Sequence, residues 1–216
     1  MNHSKCVVAA SGNAQRAGTT RFTAWSVAWI YAGRMDGLRP TIFTIGHSTR
    51  ALEEFLGLLA ESRIECVVDV RRLPGSRRFP QYDADALAAS LAVDGIDYCY
   101  LPALCGRRTI GDLDGRLPEA FWSNPSFACY AAYAHGEEFD EGLQVLLRRA
   151  DTQRCAVMCS EAVWWRCHRR IISDHLLARA ACVLHIMGPG KVDVASLTRG
   201  ARIESENVVY PAPAGD

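Results

Sequence analysis

From Thr41 onward the chain alternates short apolar runs with stretches of helical spacing. Thr41-Ile42-Phe43-Thr44-Ile45 reads as a buried strand ending at Gly46, and Ser48 and Thr49 offer capping hydroxyls ahead of an acidic first turn at Glu53 and Glu54. Leu52, Phe55, Leu56 and Leu59 share one face of the helix that follows. Ile64 to Val70 is apolar on both faces, as a parallel strand covered by helices must be. After a loop rich in Pro, Gly and Arg, Asp83 caps a short helix across Leu87 and Leu91, and Ile96 to Leu101 makes a third strand. A second Gly- and Arg-rich loop, Pro102 to Pro118, leads into helices around Phe127 to Ala134 and Phe139 to Arg149. Cys155 to Cys159 is strand four, Arg166 to Ala180 a helix, and Cys182 to Met187 strand five.

Strands and helices alternating in this way imply right-handed crossovers and an α/β fold. The expectation is a single domain with a mostly parallel five-stranded sheet flanked by helices, in Rossmann- or flavodoxin-like layering, with the strand order left open. The domain is placed at residues 40–188. Residues 1–39 mix Ser, Thr, Ala, Gly and Arg without lasting periodicity, and Asp36 is their one acidic residue. They read as a disordered extension or as residues ahead of a true start at Met35, and a transit peptide fits the same composition. The apolar stretch Phe22 to Gly33 is too short to span a bilayer. Residues 189–216 are weakly patterned and are expected to wrap the domain or fray.

Composition narrows the function classes. With 24 basic and 24 acidic residues the net charge is zero, so no global field draws the protein to nucleic acid or to an anionic membrane, and any anion site must be local. Only Lys5 and Lys191 are lysines; the other basic residues are arginines, suited to bidentate contact with phosphate and carboxylate, although codon usage in a GC-rich genome accounts for the total. Nine cysteines make an odd count, several of them inside apolar runs, which points to a reducing compartment and a cytoplasmic protein.

In sheets of this kind ligands bind outside the carboxyl ends of the strands. The polar clusters fall there: Gly46-His47-Ser48, Asp69 with Arg71, Gly106-Arg107-Arg108, Cys159 to Glu161, and His185. Cys159 ends an apolar strand beside Glu161, and Cys167, His168 and Arg169 fall near the start of the next helix, where backbone N–H groups and the helix dipole stabilise a thiolate or an anion. A thiol, a carboxylate, an imidazole and a guanidinium within eleven residues form a nucleophile and acid/base set. Taken alone, Cys159 reads as strand-end packing and Glu161 as a partner for Arg169; the combination carries the functional reading. His47 sits at a strand-to-helix turn where ligands are contacted. His175 and His185 read as structural, and Cys66, Cys99, Cys155 and Cys182 as inert core residues.

The same residues bear on two further chemistries. A strand, a Cys, a loop and an Arg opening a helix is the plan of phosphatase and rhodanese sites, but six residues separate Cys159 from Arg166, and Glu161, Trp164 and Trp165 stand where an oxyanion cradle needs small residues. A metal could take Cys159, Cys167 and His168, with His47 or His185 completing the set. No C-x-x-C pair supports it, and the adjacent side chains of Cys167 and His168 are not expected to converge on one ion.

These residues together resemble the bacterial and archaeal family known as domain of unknown function number 488. The resemblance spans about Thr41 to Met187. It rests on Thr44-Ile45-Gly46-His47-Ser48, Asp69-Val70-Arg71 with Pro74 and Ser76, Leu104 to Arg108, Tyr130 to Phe139, and Cys159-x-Glu161 with Cys167-His168-Arg169. Ser160 stands where the family usually has Ala, and Cys105 where it often has Gly. The resemblance implies the domain limits and the choice of motif residues, and supplies no substrate.

The resulting expectation is an enzyme, a thiol- or acid/base-dependent hydrolase or transferase, acting on an anionic, nucleotide-like or nucleic-acid-derived substrate. Cys159 or Cys167 is the nucleophile, Glu161 and His168 the acid/base pair and Asp69 the orienting carboxylate; His47, Ser48, Arg71, Arg107 and Arg169 bind the substrate. The alternatives are a non-catalytic nucleotide or nucleic-acid binding module and a metal-binding protein using Cys and His. No membrane partner is expected, and neither the cofactor nor the oligomeric state is legible.

Overall fold

The computed structural model describes residues 39–75 and 78–212. The expected extension therefore lies, apart from Arg39, outside the described residues, as do Ser76 and Arg77 of the second loop. Five parallel strands form most of one sheet: β1 (Thr41–Gly46), β2 (Cys66–Asp69), β3 (Asp97–Tyr100), β4 (Cys155–Cys159) and β5 (Cys182–Gly188). The helices are α1 (Leu52–Glu61), α2 (Ala84–Val93), α3 (Pro125–Tyr133), α4 (Glu137–Ala150) and α5 (Arg169–Ala178). With β6 (Lys191–Val194) added at one edge, the sheet order is β3-β2-β4-β1-β5-β6.

The sixth strand corrects the five-stranded expectation. β6 (Lys191–Val194) turns back at Gly190, which has φ +62°, and pairs antiparallel to β5. Its four residues alternate charge with valine, too short a run to stand out beside the Gly-Pro-Gly that precedes it. A separate hairpin, β7 (Arg202–Glu204) with β8 (Asn207–Val209), follows. Its turn places Ser205 and Glu206 at positive φ, where glycine or asparagine normally signals a hairpin. This last segment is pinned by the buried Asp174 of α5, which accepts from the Thr198 backbone N–H at 2.8 Å and the Tyr210 hydroxyl at 2.9 Å.

Two apolar layers enclose the sheet. On one face Ile42, Val68, Val157 and Val183 pack with Tyr130, Phe139, Leu143, Ile171 and Ile172 of α3, α4 and α5. Strand alternation sends Phe43, Ile45, Val67, Met158 and Leu184 to the other face, where Phe55 and Leu59 of α1 and Leu87 and Leu91 of α2 are buried. Each such side chain contributes about 1.5–3 kcal/mol on burial. Among the described residues no helix is long and apolar enough to cross a membrane.

Register and topology locate the site. Gly46 pairs with Cys159, and Asp69 with both Met158 and Tyr100, so the strands end along one line. The chain leaves β1 toward β2 but leaves the adjacent β4 toward β5, each connection passing the other strand on the opposite face of the sheet, and the loops that begin them border a crevice above it. Two local expectations shift here. Helix α1 begins after Ala51 rather than being capped by Ser48 or Thr49, and Arg166 belongs to a short 3-10 turn, Trp164–Arg166, ahead of α5.

Candidate functional site

The crevice is built first by backbone. Beyond the paired strands, the His47 N–H donates to Cys159 O and the Ser48 N–H to Ser160 O, each at 3.0 Å, so the two loops run together. That approach requires glycine at position 46, because a Cβ there would lie 1.9 Å from the Glu161 carbonyl oxygen. His47 is buried and stacked on Tyr82 with ring centroids 4.1 Å apart. Its Nδ1 lies 3.0 Å from Ser48 O, which can only accept, so Nδ1 carries the hydrogen. Nε2 is then the acceptor facing Arg71 Nη1 at 3.4 Å. Burial, and then the Arg71 charge, lower the His47 pKa to about 4, which leaves the ring neutral near pH 7.

Asp69 and Arg71 form the second support. Asp69 is fully buried and accepts from the Arg71 backbone N–H at 2.9 Å, Arg71 Nε at 3.0 Å, Arg71 Nη2 at 2.6 Å and the Tyr98 hydroxyl at 2.7 Å. Arg71 Nη1 also donates to Tyr82 O at 2.8 Å. With His47, these contacts use four of the five guanidinium hydrogens.

The third part is a cluster of sulfur and imidazole. Cys159 ends β4, Cys167 follows the Trp164–Arg166 turn, and His168 caps the N-terminus of α5. Contrary to the expectation that neighbours would diverge, His168 Nδ1 lies 3.5 Å from Cys167 Sγ and 4.0 Å from Cys159 Sγ. His168 Nε2 lies 3.1 Å from Val70 O, a pure acceptor, so the hydrogen sits on Nε2 and the Nδ1 lone pair faces the two sulfurs. Gly106 permits this pose, since a Cβ there would come within 2.5 Å of His168 Nδ1.

The two thiols differ in acidity. Contact with Cys167 and then burial push the Cys159 thiol up to about 12. Burial alone would raise Cys167 too, but contact with Cys159 and the charge of Arg169 outweigh it and bring Cys167 down to about 6. Arg169 is 1% exposed; its Nε donates to Cys167 Sγ at 3.4 Å and its Nη2 to Glu161 O. Among the described residues it has no ion pair with a carboxylate, and its charge is one of the causes that favour ionisation of Cys167.

These supports enclose a pocket of about 640 Å³. Of the expected residues, His47, Ser48, Arg71, Arg107, Cys159, Glu161, Cys167 and His168 line it. Asp69 and Arg169 stand behind its wall and hold lining residues in place. His185 lies within β5, 2.7 Å from Thr44 Oγ1 and stacked on Trp164. Arg108 is tied to the Tyr133 hydroxyl and ring and to Cys105 O, away from the pocket. Arg166 lines the pocket and was missed, although it immediately precedes the Cys167-His168-Arg169 motif. The side chains of Arg107 and Arg166 are exposed and make no hydrogen bond or ion pair among the described residues, and neither does the Glu161 carboxylate. Phe79, Phe127 and Tyr130 supply an aromatic part of the wall.

Residues 51–176, which hold every part of this site except the β1 turn, match the family described as Domain of unknown function DUF488. The chain belongs to the DUF488 family. The matched span of this DUF488 chain includes Asp69, Arg71, Gly106, Cys159, Cys167 and His168, whereas Gly46, His47 and Ser48 precede it. No curated protein and no solved structure matches the chain.

Proposed function

We propose that the protein is an enzyme, a hydrolase or transferase, acting on an anionic, nucleotide-like substrate bound in the pocket above β1 and β4. One observation carries the reading: the Cys159, Cys167 and His168 cluster stands in the wall of a pocket that also holds two unpaired arginines. Arg107 and Arg166 bind the anion, and the aromatic wall receives a planar group. The cluster supplies the reacting group, and the unpaired Glu161 carboxylate moves a proton. Acting as a non-catalytic binding module would require only the arginines and leaves the converging cluster without a part.

Calorimetric titration with a nucleoside monophosphate tests this reading. Both arginines are exposed, so the double variant Arg107→Ala/Arg166→Ala should fold with an unchanged melting temperature. Each charge-assisted hydrogen bond lost is worth about 1.5–3 kcal/mol, so affinity should fall at least about tenfold. Equal binding by the double variant and the native protein would overturn the proposal.

A further inference from the structure

We infer that Cys159, Cys167 and His168 bind a divalent ion of the zinc type, held by three protein ligands with its fourth position open to the arginine-lined pocket. The metric argument comes first. Zinc takes sulfur at about 2.3 Å and imidazole nitrogen at about 2.0–2.1 Å, so a tetrahedral site sets a sulfur and a nitrogen ligand about 3.6 Å apart. Nδ1 of His168 lies 3.5 Å from one sulfur and 4.0 Å from the other, and all three donor atoms fall within 4.8 Å of one another.

The surroundings fit a metal ligand set. His168 donates its other ring N–H to Val70 O at 3.1 Å, the second bond that fixes the ring and keeps the ligating nitrogen free. Two thiolates and an imidazole favour zinc-type ions over magnesium or calcium. The thiolates cancel the dication, and the nearby Arg169 charge favours an anionic oxygen at the fourth position. Three protein ligands with one open position is the pattern of catalytic rather than structural zinc. The ion's part as the reacting centre rests on the reading of the pocket given above; its binding does not.

Cobalt titration of the reduced, chelator-stripped full chain under anaerobic conditions tests the site. The expected result is one Co²⁺ per chain, with a sulfur-to-cobalt charge-transfer band and the visible bands of tetrahedral cobalt, displaced by Zn²⁺. Cys167→Ser and His168→Gln should weaken Co²⁺ binding at least about tenfold. Gly106→Ala keeps all three donors but drives a Cβ into the imidazole, and should weaken binding as well, whereas Cys182→Ser should not. Circular dichroism identifies any variant that has merely unfolded. No charge-transfer band in the native protein, or a band unchanged in folded His168→Gln and Cys167→Ser, would overturn the inference. Nucleoside monophosphate binding by the stripped protein without a cobalt band would leave the pocket reading standing and the metal site refuted; the reverse pair of results would refute the pocket reading alone.

Discussion

Cys66 and Cys155 face each other at the start of β2 and β4, while Cys159 and Cys167 meet beyond the end of β4. The pairs share much. In each, contact between the thiols moves one pKa down and the other up, and each has an arginine nearby, Arg149 below and Arg169 above. None of these four cysteines is in a disulfide. The lower pair is fully buried in the core and belongs to no candidate ligand cluster among the described residues. The upper pair has His168 and a pocket wall. Paired thiols with shifted acidity are therefore common to both ends, and what sets the upper pair apart is an imidazole and an open face.

The sharpest break between the two ends should come from Asp69→Ala. It strips the buried Arg71 of its carboxylate partner and should cost about 3–5 kcal/mol, whereas Cys66→Ala at the lower end should cost about 1 kcal/mol. Urea unfolding of both variants makes the comparison. Equal losses would mean that the upper end does not depend on its buried ion pair.

A smaller effect is expected from pH. Burial lowers the pKa of His47 to about 4 and of His175 and His185 to about 3, so all three are neutral in the folded protein near pH 7. An unfolded histidine takes up its proton near pH 6.5, so below that the unfolded state binds more protons and stability declines. The loss from His47 should level off below about pH 4, and from the other two below about pH 3. Melting temperatures recorded downward from pH 7 should therefore fall, and His185→Gln should flatten part of the slope. A flat profile in the native protein would contradict the buried neutral histidines.

Much of the upper end was legible in the sequence because buried parallel strands are continuous apolar runs, and Cys155 to Cys159 coincides with β4. The polar residues that close such runs then mark the rim, which is how His47, Asp69, Arg71 and Cys159 were found. Cys167 and His168 were expected to diverge. Instead, Cys167 has extended backbone, φ −127° and ψ 151°, and its thiol meets the imidazole of His168. Arg166 was considered only as the arginine of a phosphatase-like loop and set aside on its spacing from Cys159, whereas it lies in the turn before α5 and lines the pocket. The pairing of Asp69 with Tyr98 is long-range geometry, set by the register of β2 on β3 and carried by no local pattern.

Alkylation of the reduced, metal-stripped native protein with iodoacetamide, mapped by mass spectrometry with and without a nucleoside monophosphate, tests most directly whether the upper cysteines belong to a ligand site. Cys167, whose pKa is brought down, should be labelled while Cys66 and Cys155 are not, and the nucleotide should slow labelling of Cys167. Labelling of Cys167, Cys66 and Cys155 at the same rate, or labelling of Cys167 indifferent to the nucleotide, would contradict the account.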